Sequence, residues 1–389
     1  MVQYLYQVAE GSSIATIQQA IDQFAFELRT SATGGFVPAQ DFIIEVGAGI
    51  YPGFTIPDNT TIPLLTTAFR LIIRAGGNYF PVIDYGSSPE SRAVGIDIGG
   101  GNPNVTIDSL RSQNFSIGIR SAANSHFPIV RNCLVTNNTN AGIWLDQSDE
   151  AQVIQNVVTN GDYGIVTRLC KDIAIIHNTV FLSGNVSTVP GKAVSAIWAG
   201  LALDFGNGLA DTGKLYIIGN IAWNIVGRNL TLFADDFDRG GIVSNYNLLT
   251  LGGQPYITLE DRSFFKGSTA KPRRSYADLV TWKSGSKLPG GSIGQDNNSR
   301  SDDPKFVQVV KQRGQINGMF LDLTVLPLSP ALAMVPSFYT QTLAEIAPWI
   351  PNYVDTADLA TDIIGNSRLQ NGTAAGANDK ASSSGFYGQ

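Results

Sequence analysis

Short runs of alternating hydrophobic and polar residues fill the middle of this chain, and three stretches are close copies of one another. Residues 106–121 read TIDSLRSQNFSIGIRS, residues 130–145 read VRNCLVTNNTNAGIWL, and residues 154–168 read IQNVVTNGDYGIVTR. Each combines short apolar runs with an Asn-rich bend and then a Gly-Ile pair. Alternation with a period of two predicts β-strands, and the runs are too short for helices.

The copies recur at a nearly constant interval. Small polar residues anchor successive units, with steps of 24, 24, 22, 42 and 25 residues, at Asp108, Asn132, Asn156, Asn178, Asn220 and Asn245. The Gly-Ile pairs repeat independently at Gly118, Gly142 and Gly164. The step of 42 contains either an unrecognised unit or a loop inserted in one unit.

A unit of this length cannot bury its own apolar face, but it can do so by stacking on its neighbours. Strands that turn once per unit predict a coil whose turns pair in parallel, about 4.8 Å apart. We therefore expect an all-β fold, a single-stranded right-handed parallel β-helix of roughly eight to ten rungs. The anchor asparagines should form a ladder in a tight turn, because Asn tolerates the left-handed backbone conformation.

One amphipathic helix is expected before the repeats, within residues 12–30, where it should cap the open end of the first rung. Ser12 or Ser13 is expected to cap the helix itself. Its apolar face comprises Ile14, Ile17, Ala20, Ile21, Phe24 and Leu28. Because the periodicity fails after about Leu259, we divide the chain into an N-terminal segment (1–35), the β-helix (36–260) and an irregular segment (261–389). The last is expected to pack on the β-helix or on partner subunits.

Composition argues against several functions. Charged residues make up 15% of the chain, the net charge is −6 and no basic tract occurs, so nucleic acid is not an expected partner. No stretch reads as a signal peptide or a membrane-spanning helix, so neither ordinary export nor membrane insertion is expected. Two cysteines and two histidines predict no disulfide framework and no metal site, and no cofactor is expected.

Several segments resemble the parallel β-helix proteins of the pectin-lyase-like superfamily. IATIQQAID and DFIIEVGAGIYPGFTI are similar to the family's capped entry, and the Asn-rich bend before Gly-Ile is similar to its coil. The end resembles the family patterns D-P-x-F-V, S-P-A-I-D and D-x-x-G-x-x-R. The matching residues are Asp303, Pro304, Phe306, Val307, Ser329, Pro330, Ala331, Asp362, Gly365 and Arg368. The resemblance covers most of the chain and implies the fold; such proteins include secreted carbohydrate enzymes and phage structural proteins.

Two charged clusters are candidates for catalysis. Asp146 and Arg168 follow Gly-Ile pairs on successive rungs, so their backbones should lie about 5 Å apart, as a lyase-like site would need. Asp235, Asp236 and Asp238 would suit the acid and base of glycoside hydrolysis, or Ca²⁺. The alternatives are an inter-rung salt bridge and a solvated loop. The signatures N-T-D, G-H-G and R-I-K, which the resemblance implies for polygalacturonase-like sites, are absent.

Aromatic residues in the central rungs are candidates for a binding surface: Trp144, Tyr163, Trp198 and Trp223. Trp144 follows a Gly-Ile pair and should point outward, and an outward Trp on a sheet face marks an interaction site. The surface would be either a groove for a glycan or an interface with another copy of the chain.

Two classes of function follow. The first is a structural, receptor-binding or glycan-binding component of a virion, such as a phage spike or fibre, with a homotrimer favoured and other virion proteins as partners. The second is a polysaccharide lyase or glycoside hydrolase that leaves the cell by a non-classical route. The missing signal and catalytic signatures favour the virion component, whereas the two charged clusters favour the enzyme.

Overall fold

The computed structural model is a parallel β-helix of three sheets. It describes residues 4–32, 38, 40–58, 69–77, 79–86, 93–101, 104–182, 195–201, 213–225, 227–233, 241–250, 252, 256–260, 272–285, 295–304, 306–308, 322–325 and 331. Eight successive rungs each contribute one strand to each sheet in turn, which agrees with the expected number.

The strands of each sheet are as follows. The first sheet comprises β1 (Leu5–Val8), β2 (Phe42–Val46), β5 (Leu71–Ala75), β8 (Val105–Asp108), β11 (Ile129–Arg131), β14 (Gln152–Ile154), β17 (Ile173–Ile176), β20 (Leu215–Ile218) and β23 (Ile242–Asn245). The second sheet comprises β3 (Ile50–Tyr51), β6 (Val82–Asp84), β9 (Arg111–Gln113), β12 (Leu134–Thr136), β15 (Val157–Thr159), β18 (Thr179–Leu182), β21 (Ile221–Asn224) and β24 (Leu248–Thr250). The third sheet comprises β4 (Phe54–Ile56), β7 (Val94–Ile98), β10 (Ile117–Ser121), β13 (Ala141–Asp146), β16 (Tyr163–Cys170), β19 (Ser195–Leu201), β22 (Arg228–Phe233), β25 (Ile257–Glu260) and the antiparallel β26 (Pro272–Tyr276). A separate hairpin comprises β27 (Phe306–Gln308) and β28 (Asp322–Val325), and the helices are α1 (Ile17–Ala32) and α2 (Leu279–Gly285).

The step of 42 residues is a single rung. Strand β19 pairs in register with β16, with Ile197 opposite Ile165, and supplies the third-sheet strand of that rung. Residues 183–194 and 202–212 on either side lie outside the described residues. The extra length is therefore inserted around β19, and the stacking of the rungs continues unchanged.

The Gly-Ile pairs mark where the third sheet meets the second inside the coil. Gly142 has no room for a side chain, because a Cβ would overlap Cγ1 of Val158 and lie 2.9 Å from the carbonyl oxygen of Gly164. Gly164 stands in the same relation to Val180. The isoleucine that follows each glycine is fully buried. The repeat of Gly-Ile is thus a requirement of packing.

A ladder of asparagines connects four rungs, as expected, and three of its four members are anchors of the sequence repeat. The backbone N–H of Asn156 donates to Oδ1 of Asn178, that of Asn178 to Asn220, and that of Asn220 to Asn247, each over 2.9 Å. All four side chains are buried. The ladder satisfies backbone donors that a tight turn leaves without a strand partner.

Three of the predicted anchors were wrong. Asp108 and Asn245 are the last residues of β8 and β23, where they pair with Arg131 and Ile218. Asn132 has a positive φ of 54° and directly precedes the ladder position. Each turn contains a left-handed residue followed by the buried ladder residue, and spacing alone did not separate the two.

Helix α1 covers the first rung, as predicted. Its apolar face is buried against the core, with Phe24 packed on Tyr6 and Phe42. The predicted cap was wrong. Thr16 and Gln19 form a capping box, in which the N–H of Gln19 donates to Thr16 Oγ1 and the N–H of Thr16 donates to Gln19 Oε1, both over 3.1 Å. The prediction placed the helix start one turn too early.

The C-terminal segment closes the opposite end of the coil. Asp296 is fully buried and accepts hydrogen bonds from Ser244 Oγ (2.7 Å), Trp282 Nε1 (2.8 Å), Asn247 Nδ2 (3.0 Å) and Ser299 Oγ (2.6 Å). The side chain of Asn247, the last asparagine of the ladder, is thus held by this carboxylate.

Candidate functional site

The outward side of the third sheet carries an unusual row of side chains, which we name the outer face. In rung order the row comprises Asp97, Arg120, Trp144, Val166, Trp198, Thr231 and Thr258. Each lies between two residues that point into the core, as Thr231 does between Leu230 and Leu232. The row begins as an ion pair and becomes aromatic and apolar in its middle.

An aromatic patch occupies the middle of the outer face and comprises Trp144, Tyr163, Trp198 and Phe233. The rings of Trp198 and Phe233 meet edge to face with centroids 5.1 Å apart, and those of Tyr163 and Trp198 meet similarly at 6.5 Å. Trp144 and Tyr163 are partly exposed and pack against the buried members. Burial, with the nearby charges of Asp162 and Glu260, raises the pKa of Tyr163 to about 12, so its hydroxyl stays protonated.

A polar cluster adjoins the aromatic patch and comprises Arg228, Glu260, Thr231 and Thr258. Arg228 Nη1 donates to the buried carboxylate of Glu260, and Trp198 Nε1 lies 3.5 Å from its other oxygen. The hydroxyls of Thr231 and Thr258 are fully buried and have no hydrogen-bond partner in the protein. Ionised, aromatic and hydroxyl groups thus converge at one place on the outer face.

Asp146 and Arg168 are neighbours on successive rungs, as the repeat predicts. Nε of Arg168 donates to Asp146 Oδ1 over 2.8 Å, and its Nη2 donates to the second oxygen. Arg120 and Asp97 form the same two-pronged pair nearby. Arg168 is thus held beside Asp146 by a two-pronged ion pair and keeps 35% of its side chain exposed, and a catalytic role for the pair stays a prediction.

The other predicted residues do not join this site. Trp223 lies on the outward side of the second sheet, where its ring meets that of Phe181 at 5.4 Å, so it cannot share a surface with Trp144. The sequence could not assign it to a sheet because the long rung hides the register. Asp235, Asp236 and Asp238 lie outside the described residues.

Within the described part of the chain, no three His, Cys, Asp or Glu side chains come close enough together to hold a metal ion. In the same part, no helix has the length and apolar character needed to cross a membrane.

Cys133 and Cys170 should be inert. Both thiols are buried inside the coil, and burial raises the pKa of each to about 12. We expect neither to react with a thiol reagent at pH 8 in the native protein, because the reactive thiolate is then present at roughly one part in ten thousand. Both should react in guanidinium chloride. Native labelling at the rate of free cysteine would contradict this burial.

A family model described as "Right handed beta helix region" matches residues 74–202, which reach from the end of β5 to just beyond β19. The fold is a right-handed parallel β-helix. Two solved structures are similar to this chain. Escherichia coli YbhC has 11% identity and a TM-score of 0.34, over 77% of this chain and 85% of that one. The pectin methylesterase from Aspergillus niger has 12% identity and a TM-score of 0.26, over 67% of this chain and 81% of that one. No curated protein sequence matches the chain.

The sequence did not reveal the polar cluster. Outward positions come two residues after each glycine of the Gly-Ile pairs, as Trp144 does after Gly142. In the later rungs Ala196, Asn229 and Tyr256 replace that glycine, so the pattern disappears from the sequence. Counting from these three residues would have placed Trp198, Thr231 and Thr258 in the row.

Proposed function

We propose that the outer face of the third sheet binds a glycan and that the chain is a receptor-binding component of a virion. The observation that carries the proposal is the aromatic patch. Its two partly exposed rings, Trp144 and Tyr163, offer apolar contact area at a small cost in side-chain entropy, and nearby polar groups supply orientation. A sugar ring presents both an apolar face and hydroxyl groups, and it fits such a surface.

Binding is favoured over catalysis because of the state of the acidic residues. Asp97, Asp146 and Glu260 are each paired with an arginine. A general base needs a lone pair that is free to reach a substrate proton. At these three described acids, proton transfer would require an arginine to leave the carboxylate in every catalytic cycle, whereas binding requires at most one such displacement.

The virion setting is proposed on a sequence feature given above, the lack of a complete catalytic signature. In that setting we propose a homotrimer that contacts other virion proteins. A rigid stack of rungs would present the same outer face three times, and several weak glycan contacts together give tight attachment.

Substitution of Trp144 with alanine should weaken glycan binding at least about tenfold, because a partly exposed ring at the centre of a contact carries a large share of the binding energy. Affinity electrophoresis in gels that contain dextran, galactomannan, alginate or polygalacturonate measures this directly. Tyr79→Ala is the control, since Tyr79 is an exposed aromatic between β5 and β6. Migration unaffected by all four polysaccharides would contradict the proposal, and so would equal retardation of Trp144→Ala and the native chain.

A further inference from the structure

The polar cluster contains two buried hydroxyls that the protein leaves without partners. Thr231 and Thr258 are adjacent in the outer-face row, on successive rungs, and each has no exposed surface. A buried hydroxyl without a partner lowers stability, and native proteins normally supply one. Two such groups side by side point to a partner that comes from outside the chain.

The ion pair of the polar cluster lies across these hydroxyls. Arg228 is the first residue of β22, and Glu260 is paired with the last residue of that strand, Phe233. The two residues therefore start from opposite ends of the paired strands, five positions apart in the register. Their side chains can meet only by extending toward each other over the intervening outward positions, which are Thr231 and Thr258.

We propose that Glu260, Thr231 and Thr258 bind adjacent hydroxyl groups of a neutral sugar unit, a specificity that rests on the proposed glycan-binding function. The side chain of Arg228 keeps 16% of its surface exposed, whereas that of Glu260 keeps 3%. Arg228 is thus the partner that swings away. Two sugar hydroxyls then replace the guanidinium at the carboxylate, in charge-assisted hydrogen bonds, and pair with the threonine hydroxyls.

The charge of the cluster selects against acidic sugars. Once Arg228 has moved aside, a uronate carboxylate would face the carboxylate of Glu260 at short range in a buried place. Asp162 is a second buried acid near the site, because its charge helps to raise the pKa of Tyr163. A neutral hexose meets no such repulsion, and its ring can contact Tyr163, the partly exposed ring that packs against Trp198.

The test uses the double variant Thr231→Val/Thr258→Val, because valine matches the shape of threonine and lacks only the hydroxyl. Thr55→Val is the matched control, since Thr55 precedes Asp97 in the same row but is exposed on the first rung. Affinity for dextran and galactomannan should fall about tenfold in the double variant and stay unchanged in the control. The melting temperature of the double variant should stay the same or rise, because no internal hydrogen bond is lost.

The outcomes separate this inference from the proposed function. If Trp144→Ala weakens binding and the double variant does not, the aromatic patch binds glycans but the two threonine hydroxyls do not contact them. Water would then be their hydrogen-bond partner, and only the further inference would be overturned. Tighter binding of alginate or polygalacturonate than of the neutral polymers also overturns it alone. Binding of no polymer overturns both.

Discussion

Substitution of Asp296 with alanine is expected to lower the free energy of unfolding by about 4 kcal/mol, the largest single loss among the residues discussed. The change removes the acceptor of four buried donors. The hydroxyls of Ser244 and Ser299 can rotate to other partners, but the indole N–H of Trp282 is fixed by its buried ring. An orphaned buried donor costs about 1–3 kcal/mol, and the cavity left by the carboxylate adds to that cost.

Urea unfolding followed by tryptophan fluorescence measures this change. Asp302→Ala is the matched control, because Asp302 lies in the same segment but is exposed. Asp296→Asn should lose less stability than Asp296→Ala but still be destabilised. The amide oxygen can accept some of the hydrogen bonds, whereas the amide NH2 would face donors of the neighbouring residues. A loss of less than about 1 kcal/mol in the free energy of unfolding would contradict the prediction and would show that the hydrogen bonds of Asp296 add little to the stability of the coil.

Substitution of Gly142 with alanine should destabilise the protein by about 3 kcal/mol, at the upper end of typical overpacking effects. The new methyl group would overlap Val158, and the backbone carbonyl of Gly164 prevents a simple shift. Gly76→Ala is the control, because the nearest atom to a Cβ there is the Tyr79 hydroxyl, at 3.3 Å.

A second substitution should relieve the clash. In the rung of Ala196, which occupies the glycine position, the place of the valine on the following rung is taken by Ala222. The chain therefore already contains one rung in which alanine replaces the glycine and a second alanine replaces the valine. In a double-mutant cycle, Gly142→Ala and Val158→Ala should cost less together than the sum of the two single variants, by more than about 1 kcal/mol. Additive losses would mean that the two side chains do not compete for the same space.

Most of the fold could be predicted because stacking forces a repeat. An apolar residue that faces the core must recur on each rung, so Ile119, Ile143 and Ile165 recur in the sequence as they do in the coil. The capping helix was predictable from the apolar face of α1. Its start was not, because Ser12 and Thr16 are both good capping residues and only the contact with Gln19 distinguishes them.

The candidate site was less predictable, for a physical reason. Outward positions are free of the packing requirement, so their residues carry no repeat that could mark them. Asp146 and Arg168 were paired correctly because both follow intact Gly-Ile pairs on adjacent rungs. Arg228 and Glu260 meet only because their side chains run along the strands from opposite ends, and no local sequence pattern records that contact.

The asparagine ladder also implies an order in which the turns of the coil are completed, from the N-terminal end to the C-terminal end. Each ladder asparagine accepts a hydrogen bond from the backbone of the rung before it, so a turn is satisfied only by residues that come later in the chain. During synthesis the backbone N–H of the newest ladder residue therefore has no acceptor until the next ladder residue has been synthesised and has folded onto it. The ladder ends at Ser299, whose hydroxyl oxygen accepts a hydrogen bond from the N–H of Asn247. The same hydroxyl donates to the carboxylate of Asp296, which holds it in place. The closing segment thus covers the last rung of the coil. A chain that lacks it would expose the unpaired edges of β23 and β24, which could pair with a strand of another chain.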